Sequence, residues 1–578
     1  MLNRFRARLA DVDALPQLAI LGLVSGLLAG GVIILFRLSI EHTQMAFLPG
    51  GGVENYEDLS ALLRFMLPTL GGLLIGLIFH ALSTMGGGGI QVGIVHVLER
   101  IAYHQSHLPL RNFTLQFVGA ALSIISGHSV GREGPGVHLG AASGSLLGQG
   151  LHLPNNSIQT LVACGAAASI AASFNTPIAG VVFAMEVIVM EYTIAGFAPI
   201  ILAAVSATAL TRSVFGAEPA FEVPPLQMAS LYELPYLLVM GLVVGALAAG
   251  FITSLQYITR VGNHVVLWQR LTLAGALTGL CALLVPEIMG VGYDTVNQAM
   301  LGQLGIGLLL MVVLFKTLAT TLGLGLGLPG GLIGPTLVIG AAAGGILGHV
   351  ADMLFPGQVA SPGFYAMIGM SSMMGATLQA PLAALLALLE LTANPNIILP
   401  GMLAVVASGI TSSHLFNRES VFITLLKARG LDMRNNPVAQ TLRRVGVLSV
   451  MNTSFLHAPR RISRIDAERL LDRQPLWIVV DEEDKPSELL LAADLALYLN
   501  TQEDIQEDTL EQAVDLLEIP AQRENIVYIP QQATLQEALD TMDEKAVDAL
   551  CVSPVPGTHN IIGILTRQNI ETYYRDGV

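Results

Sequence analysis

Long, nearly uncharged apolar runs dominate the first three quarters of the chain. Leu18–Phe36, Leu62–Leu82, Leu234–Leu255 and Leu304–Leu322 each approach the roughly 20 residues that a membrane-crossing helix needs. Other apolar stretches are shorter and open on Gly or Pro: Val137–Leu151, Ile178–Met190 and Leu332–Val350. Broken helices of this kind are tolerated in a bilayer only where the freed backbone is buried in protein or lines a cavity. After Ser413 the pattern changes. A polar-flanked segment, His414–Asn436, leads into short apolar runs bounded by turn residues. PLWIVVD (475–481), ENIVYIP (524–530), DALCVSP (548–554) and NIIGILT (560–566) predict buried strands, and ATLQEALDTMDEK (533–545) predicts an amphipathic helix opened by a Thr cap. The expected fold is an all-α polytopic membrane domain with broken helices, followed by an α/β domain.

Composition agrees with that division. Hydrophobic residues make up 53% and charged residues 12% of the chain, whereas a soluble domain carries about a quarter charged residues. Of the net charge of −15, about −12 falls after Thr441, where 24 acidic residues face 12 basic ones. Three widely spaced cysteines, Cys164, Cys281 and Cys551, suit neither a disulfide framework nor a metal site. Residues 1–16 carry Arg4, Arg6 and Arg8 before the first apolar run, with no small-residue cleavage site after them. The positive-inside tendency places this segment in the cytoplasm. Nothing in the sequence points to nucleic acid.

The apolar part repeats itself. QLAILGLVSGLLAGGV from Gln17 matches YLLVMGLVVGALAAGF from Tyr236, and GREGPGVHLGAASGSLLG from Gly131 matches GGLIGPTLVIGAAAGGILG from Gly330. FNTPIAGVVFAMEV from Phe174 matches TLQAPLAALLALLELT from Thr377, pairing Pro177 with Pro381 and Glu186 with Glu390. The three matches keep one order, at offsets of 219, 200 and 204 residues. They divide 17–436 into halves of about 17–215 and 233–416, with 437–578 as the tail. Duplicated halves are a common transporter plan, with the substrate site at the repeat interface near the bilayer midplane.

Two Gly-Pro turns stand at repeat-related positions, Gly131–Pro135 and Gly327–Pro335, each ahead of an apolar helix. A helix N-terminus presents unpaired N–H groups and about half a positive charge, and glycine lets an ion approach the backbone. Two such ends converging would hold an anion by partial charges, where a full cation would release it slowly. Glu133 lies within the first turn. Ionised, it competes with the anion; protonated, it can leave, which would make it both gate and proton carrier. The bland alternative is a carboxylate paired with Arg132 or facing water. Gly86–Gly89 form a third backbone-rich loop, which a flexible turn explains equally well.

GREGP, GLPGGLIGP, FNTPIAGVVFAMEV and APLAALLALLELT, in this order, resemble the CLC family of chloride channels and chloride/proton antiporters, over roughly Leu18 to Leu431. The resemblance implies a homodimer with one pore per subunit, each pore formed by inverted repeats in the lipid bilayer. It assigns Glu133 as the gating glutamate, Leu332 and Ile333 as backbone donors to a central anion, and the N–H groups around Arg132 to Gly134 to an outer site. Three positions depart from the family pattern. Gly88, followed by Gly89 and Ile90, stands where the family has an anion-contacting serine, and Phe422 where it has a tyrosine. Val187 replaces the internal proton-relaying glutamate, although some antiporters also lack that residue. Glu186 is read as a structural helix-end residue, like its mate Glu390. His128, His138 and Glu191 are weighed as another proton route and read as ordinary core or interfacial groups.

The tail resembles a pair of CBS domains, which in some members bind an adenine nucleotide. Thr566 is present but Asn569 replaces the ribose-binding Asp, while the other copy has Asp494 and lacks the hydroxyl. A structural module is weighed evenly against a nucleotide sensor; no other cofactor and no metal is implied. Together Val187, Gly88 and Phe422 favour passage of chloride or similar small anions by a channel or a weakly coupled exchanger. The alternatives are a chloride/proton antiporter with a non-standard internal proton route, a fluoride exchanger of the same family, and a membrane-anchored nucleotide sensor without transport. An intramembrane enzyme would need a nucleophile–base pair or a pattern such as His-Glu-x-x-His, and the sequence holds none. The short loops fit a bacterial inner membrane, with both termini cytoplasmic.

Overall fold

The computed structural model describes residues 9, 15–85, 90–192, 194–218, 221, 226–262, 264–431, 437–482, 485–501, 513–521, 523–554 and 560–576. Two compact units emerge, one of Leu18–Gly150 with Ile158–Met433, the other of Met1–Gln17, Leu151–Ser157 and Arg434–Val578.

The first unit is helical and its two halves run element for element. The first half comprises α1 (Leu15–Phe47), α2 (Ala61–Met85), α3 (Ile94–Tyr103), α4 (Leu110–Ile125), α5 (Glu133–Gly150), α6 (Asn155–Phe174), α7 (Pro177–Phe183) and α8 (Ile194–Phe215). The second comprises α9 (Leu234–Gly262), α10 (Leu267–Leu284), α11 (Tyr293–Met300), α12 (Ile306–Gly325), α13 (Ile333–Leu354), α14 (Pro362–Leu378), α15 (Pro381–Thr392) and α16 (Ile398–Ile410), and α17 (Val421–Ala428) closes the unit. Among the described residues, nine helices are long and apolar enough to cross a membrane. One corrects the sequence reading: the segment taken as short from Leu332 is a 22-residue helix. Repeat-related glycines do the same work in each half. A Cβ on Gly26 of α1 would lie 2.6 Å from Ala203 Cα of α8, and one on Gly245 of α9 would lie 2.5 Å from Ser408 O of α16. Small residues at these crossings let backbones touch where no water drives helices together.

Both short helices α7 and α15 begin at the prolines matched by the repeat, Pro177 and Pro381, where a missing N–H costs nothing. Their first turns are capped across the halves. Glu186 accepts hydrogen bonds from Leu382 N at 3.3 Å and Ala383 N at 2.8 Å; Glu390 accepts from Ile178 N at 3.1 Å and Ala179 N at 2.7 Å. That exchange is what a pseudo-two-fold relation between inverted halves produces.

In the second unit, α18 (Pro437–Arg443) precedes β1 (Phe455–Pro459), β2 (Arg461–Ser463), α19 (Arg464–Asp472), β3 (Trp477–Glu482), β4 (Lys485–Leu491), α20 (Ala492–Thr501), β5 (Ala513–Asp515) and β6 (Arg523–Asn525). Then come β7 (Tyr528–Pro530), α21 (Leu535–Lys545), β8 (Ala549–Ser553), β9 (Gly563–Thr566) and α22 (Arg567–Asp576). The sheets are ordered β1-β3-β4-β6, β2-β5 and β7-β8-β9. β1 pairs parallel with β3 across α19, and β7 parallel with β8 across α21. The expected strand ENIVYIP is two strands: β6 pairs with β4 and β7 with β8, so the chain passes from one sheet to the other between Asn525 and Tyr528. An apolar run marks burial, and here it is buried in two sheets in turn. Thr534 caps α21 in a full capping box with Glu537.

Candidate functional site

The two Gly-Pro turns meet. Gly131 N donates to Gly331 O at 2.7 Å and Gly331 N to Gly131 O at 2.8 Å, an antiparallel bridge between the halves. Glycine is required there, since a Cβ on Gly134 would lie 2.7 Å from Gly331 Cα. The bridge brings together the starts of α5 at Glu133 and of α13 at Ile333, with Leu332 as its N-cap. Two sets of first-turn amides, which have no intrahelical acceptors, thus share one location.

Glu133 is fully buried. Its Oε2 accepts a hydrogen bond from Gly334 N at 3.2 Å, and its Oε1 accepts one from the Tyr293 hydroxyl. The carboxylate of one half is therefore seated on the helix N-terminus of the other. A Cβ on Gly131 would lie 2.5 Å from that Oε2, so the turn leaves room for the carboxylate only as glycine. Arg132 stands farther off, with Nε 3.8 Å from Glu133 Oε1 and Nη1 3.6 Å from Glu41. Its guanidinium carbon lies 5.2 Å from the Tyr293 ring centroid. Glu133 does not face water, and the ion pair with Arg132 is longer than its hydrogen bonds to Gly334 and Tyr293.

Sequence reasoning missed Tyr293 and the groups that aim it. Tyr293 opens α11 after Gly292, whose φ of +83° is a left-handed value suited to glycine. Lys316 of α12 is fully buried, and its Nζ donates to Ile288 O at 2.9 Å and Gly290 O at 3.0 Å, fixing the turn into α11. Gly292 N donates to Glu54 at 3.3 Å. The signal was present: Lys316 is the one charge in the run 304–322, and an ionisable residue in an apolar span demands a partner.

Ile90, Gly134, Leu332 and Phe422 line one cavity of about 180 Å³, together with Arg270 and Arg429. Ile333 instead borders a small apolar pocket with Phe174 and Leu337. Gly88, and the whole loop 86–89, lies outside the described residues.

Residues 71–413 match the family described as voltage gated chloride channel, and 516–576 match the CBS domain. The chain belongs to the CLC family. Among CLC relatives, the putative chloride channel protein ClcB-like of Ralstonia nicotianae is 33% identical over 438 residues, which cover 74% of this chain and 100% of that one. The H(+)/Cl(-) exchange transporter ClcA of Salmonella arizonae is 28% identical over 72% of this chain and 89% of that one. The ClcA of Vibrio cholerae is 31% identical, over 50% of this chain and 64% of its own length. The fold is that of a slow cyanobacterial Cl−/H+ antiporter (TM-score 0.63, 22% identity, 72% and 99% covered) and of a eukaryotic CLC transporter (0.59, 18%, 96% and 97%). Anion transport is thus the setting of the site, and the C-terminal strand-and-helix unit is a CBS pair.

Other CLC positions read from the sequence lie as follows. Val187 is buried in the π-helical turn Ala184–Val189 that continues α7. His128 bonds Ser126 Oγ at 2.9 Å and Ser123 O at 3.1 Å, whereas His138 bonds His96 at 2.9 Å, so these histidines belong to separate clusters. Glu191 N donates to Met185 O at 3.1 Å, just past the π turn. In the CBS pair, Thr566 Oγ1 donates to Asn569 Oδ1 at 2.7 Å, and Asn569 N donates to Thr566 Oγ1 at 3.1 Å, a cap on α22. Asp494 occupies the equivalent first turn of α20.

Proposed function

We propose that this protein exchanges chloride for protons, with Glu133 as the group both ions share. The observation that carries this reading is the seated carboxylate: Glu133 takes the α13 amide that would otherwise solvate an anion. Ionised, it excludes chloride from that seat. Protonation removes its charge and weakens its claim on the helix end, so the side chain leaves and chloride enters. The amides of Leu332 and Ile333 would hold chloride deeper in, and Phe422 offers a ring edge without a hydroxyl, so water completes the shell. Relatives named as H(+)/Cl(-) exchange transporters support exchange over a plain channel. Val187 favours the second reading, a channel-like or weakly coupled path, because a valine carries no proton.

Purified protein in liposomes decides between them. A chloride gradient should drive protons uphill in the wild type, and Glu133→Gln should retain chloride flux while losing proton movement. Chloride flux without any uphill proton movement would leave the channel reading standing.

The homodimer is inferred from membership of the CLC family alone. A cytoplasmic tail in a bacterial inner membrane remains the favoured orientation. Within the tail, the mutual cap of Thr566 and Asn569 favours a structural CBS pair over an adenine-nucleotide sensor.

A further inference from the structure

The membrane unit buries two histidines that the site around Glu133 does not use. His96 lies in the first turn of α3 and His138 in α5, and both are fully buried. His96 Nδ1 and His138 Nε2 are 2.9 Å apart. Among the described residues neither ring bonds a carboxylate, so both are neutral in this apolar setting. Arg100, one turn farther along α3, sets the tautomer of each. Its Nε donates to His96 Nε2 at 3.1 Å, and a guanidinium can only donate. His96 Nε2 is therefore the bare nitrogen, and the ring proton sits on Nδ1. That N–H donates to His138 Nε2, which leaves the proton of His138 on Nδ1. Among the described residues, His138 Nδ1 has no hydrogen-bond partner. The bonds run in one direction and end on a buried N–H without an acceptor, which is unfavourable unless something takes its proton.

The two ends of this chain differ. At one end Arg100 is half-buried, and His104, the C-cap of α3, is exposed. The charged and titratable groups around His96 are Arg100, His104 and Arg429, besides His138; Glu99 lies 3.9 Å from His104 and 3.6 Å from Arg429. At the other end, His138 follows Glu133 by five residues on α5, about 7.5 Å of helix rise. Helical side chains tilt toward the N-terminus, which here is the end that Glu133 occupies.

We propose that His96 and His138 relay protons between the exposed end of α3 and Glu133, in place of the internal glutamate that the family has at Val187. The inference rests on the exchange reading and supplies its internal proton route. In one passage, a proton-bearing water displaces Arg100 and gives a proton to His96 Nε2. The Nδ1 proton of His96 moves to His138 Nε2, and the Nδ1 proton of His138 leaves through water to the Glu133 carboxylate. Each ring gains one N–H bond and loses one. Both are neutral before and after, so no charge stays in the apolar interior. Rotation of the rings restores the starting tautomers. Arg100 keeps its own protons; it is a positioning residue that latches the entrance and fixes the direction of the bonds.

The test uses full-length protein in liposomes under a chloride gradient, with chloride and pH recorded together for wild type, His138→Gln and His96→Gln. Glutamine can hydrogen-bond but cannot take a proton at one atom while releasing one from another. Each variant should lower the protons moved per chloride by about tenfold; if one fails to give monodisperse protein, the other decides. In histidine-labelled protein, the two 15N signals lost in the variants should report Nδ1–H tautomers. A wild-type ratio in a monodisperse variant would overturn the proposal, and so would equal slowing of both ions, which marks a damaged fold. An Nε2–H tautomer at His138 would also overturn it, because the exit would then be closed. Wild-type vesicles that pass chloride with no uphill proton movement would be a different result, overturning the exchange reading and this route with it.

Discussion

Glu133 divides its two oxygens between a phenol and a helix amide, and the two bonds do different work. The amide of Gly334 makes the seat attractive to any anion, whereas Tyr293 recognises only an acceptor that can be reached from α11. Tyr293→Phe removes a hydrogen bond to a charged group, a contribution of roughly 1.5–3 kcal/mol, from the seated state alone. Chloride flux at neutral pH should therefore rise by about tenfold, with fewer protons moved per chloride, as read by paired chloride and pH electrodes. A second prediction concerns Glu57, in the loop between α1 and α2. Its carboxyl is pushed up to about 7, first by burial and then by the charge of Asp294. A raised folded value means stability is full at low pH and declines as pH climbs from the ordinary carboxylate range through about 7. Glu57→Gln should thus raise the thermal midpoint at pH 8 and leave it unchanged near pH 4; an equal gain at both would refute the assignment. Glu133 was legible in the sequence because its motif is local. Tyr293 was not, because what aims it comes from Lys316 and Glu54, distant in the chain and brought together only by folding.

The helix ends that build the candidate site take their positions from glycine and proline. The turn that opens α5 works only because Gly134 has no side chain to meet Gly331. Gly134→Ala places its Cβ 2.7 Å from a backbone atom that cannot move aside; it should cost about 1–3 kcal/mol of stability and lower chloride flux by at least tenfold, checked on protein that remains monodisperse. The reciprocal caps of Glu186 and Glu390 make the opposite kind of prediction. Each carboxylate holds two amides of its repeat mate's short helix, so Glu186→Gln should destabilise the fold by about 1–2 kcal/mol without changing the proton-to-chloride ratio. A lost ratio would make Glu186 a proton carrier instead. The repeat was readable because both halves meet the same demands at the same positions, from the glycines of α1 and α9 to the prolines opening α7 and α15. The division of ENIVYIP between two sheets was not readable, since apolar periodicity reports burial and is silent about which partner strand supplies it.

At the scale of the whole chain, each unit builds its core from its own residues. The large apolar cluster of the membrane unit runs from Ala29 to Leu426, whereas the clusters around Leu442, Ile478 and Cys551 draw on the tail alone. The Ralstonia nicotianae protein is matched over its whole length by 438 residues, leaving about a quarter of this chain without a counterpart in it. The groups that seat Glu133 and line the adjoining cavity all belong to the membrane unit. Removal of 437–578 should therefore leave chloride flux per copy within about twofold of the full chain, provided the shortened protein reconstitutes as a monodisperse species. Retained flux with altered dependence on an added adenine nucleotide would identify the tail as a sensor, and retained flux with unchanged response would make it a structural appendage. Complete loss of flux from a well-folded membrane unit would mean instead that anion passage requires the CBS pair, and the separation of cores would then be no guide to the separation of functions.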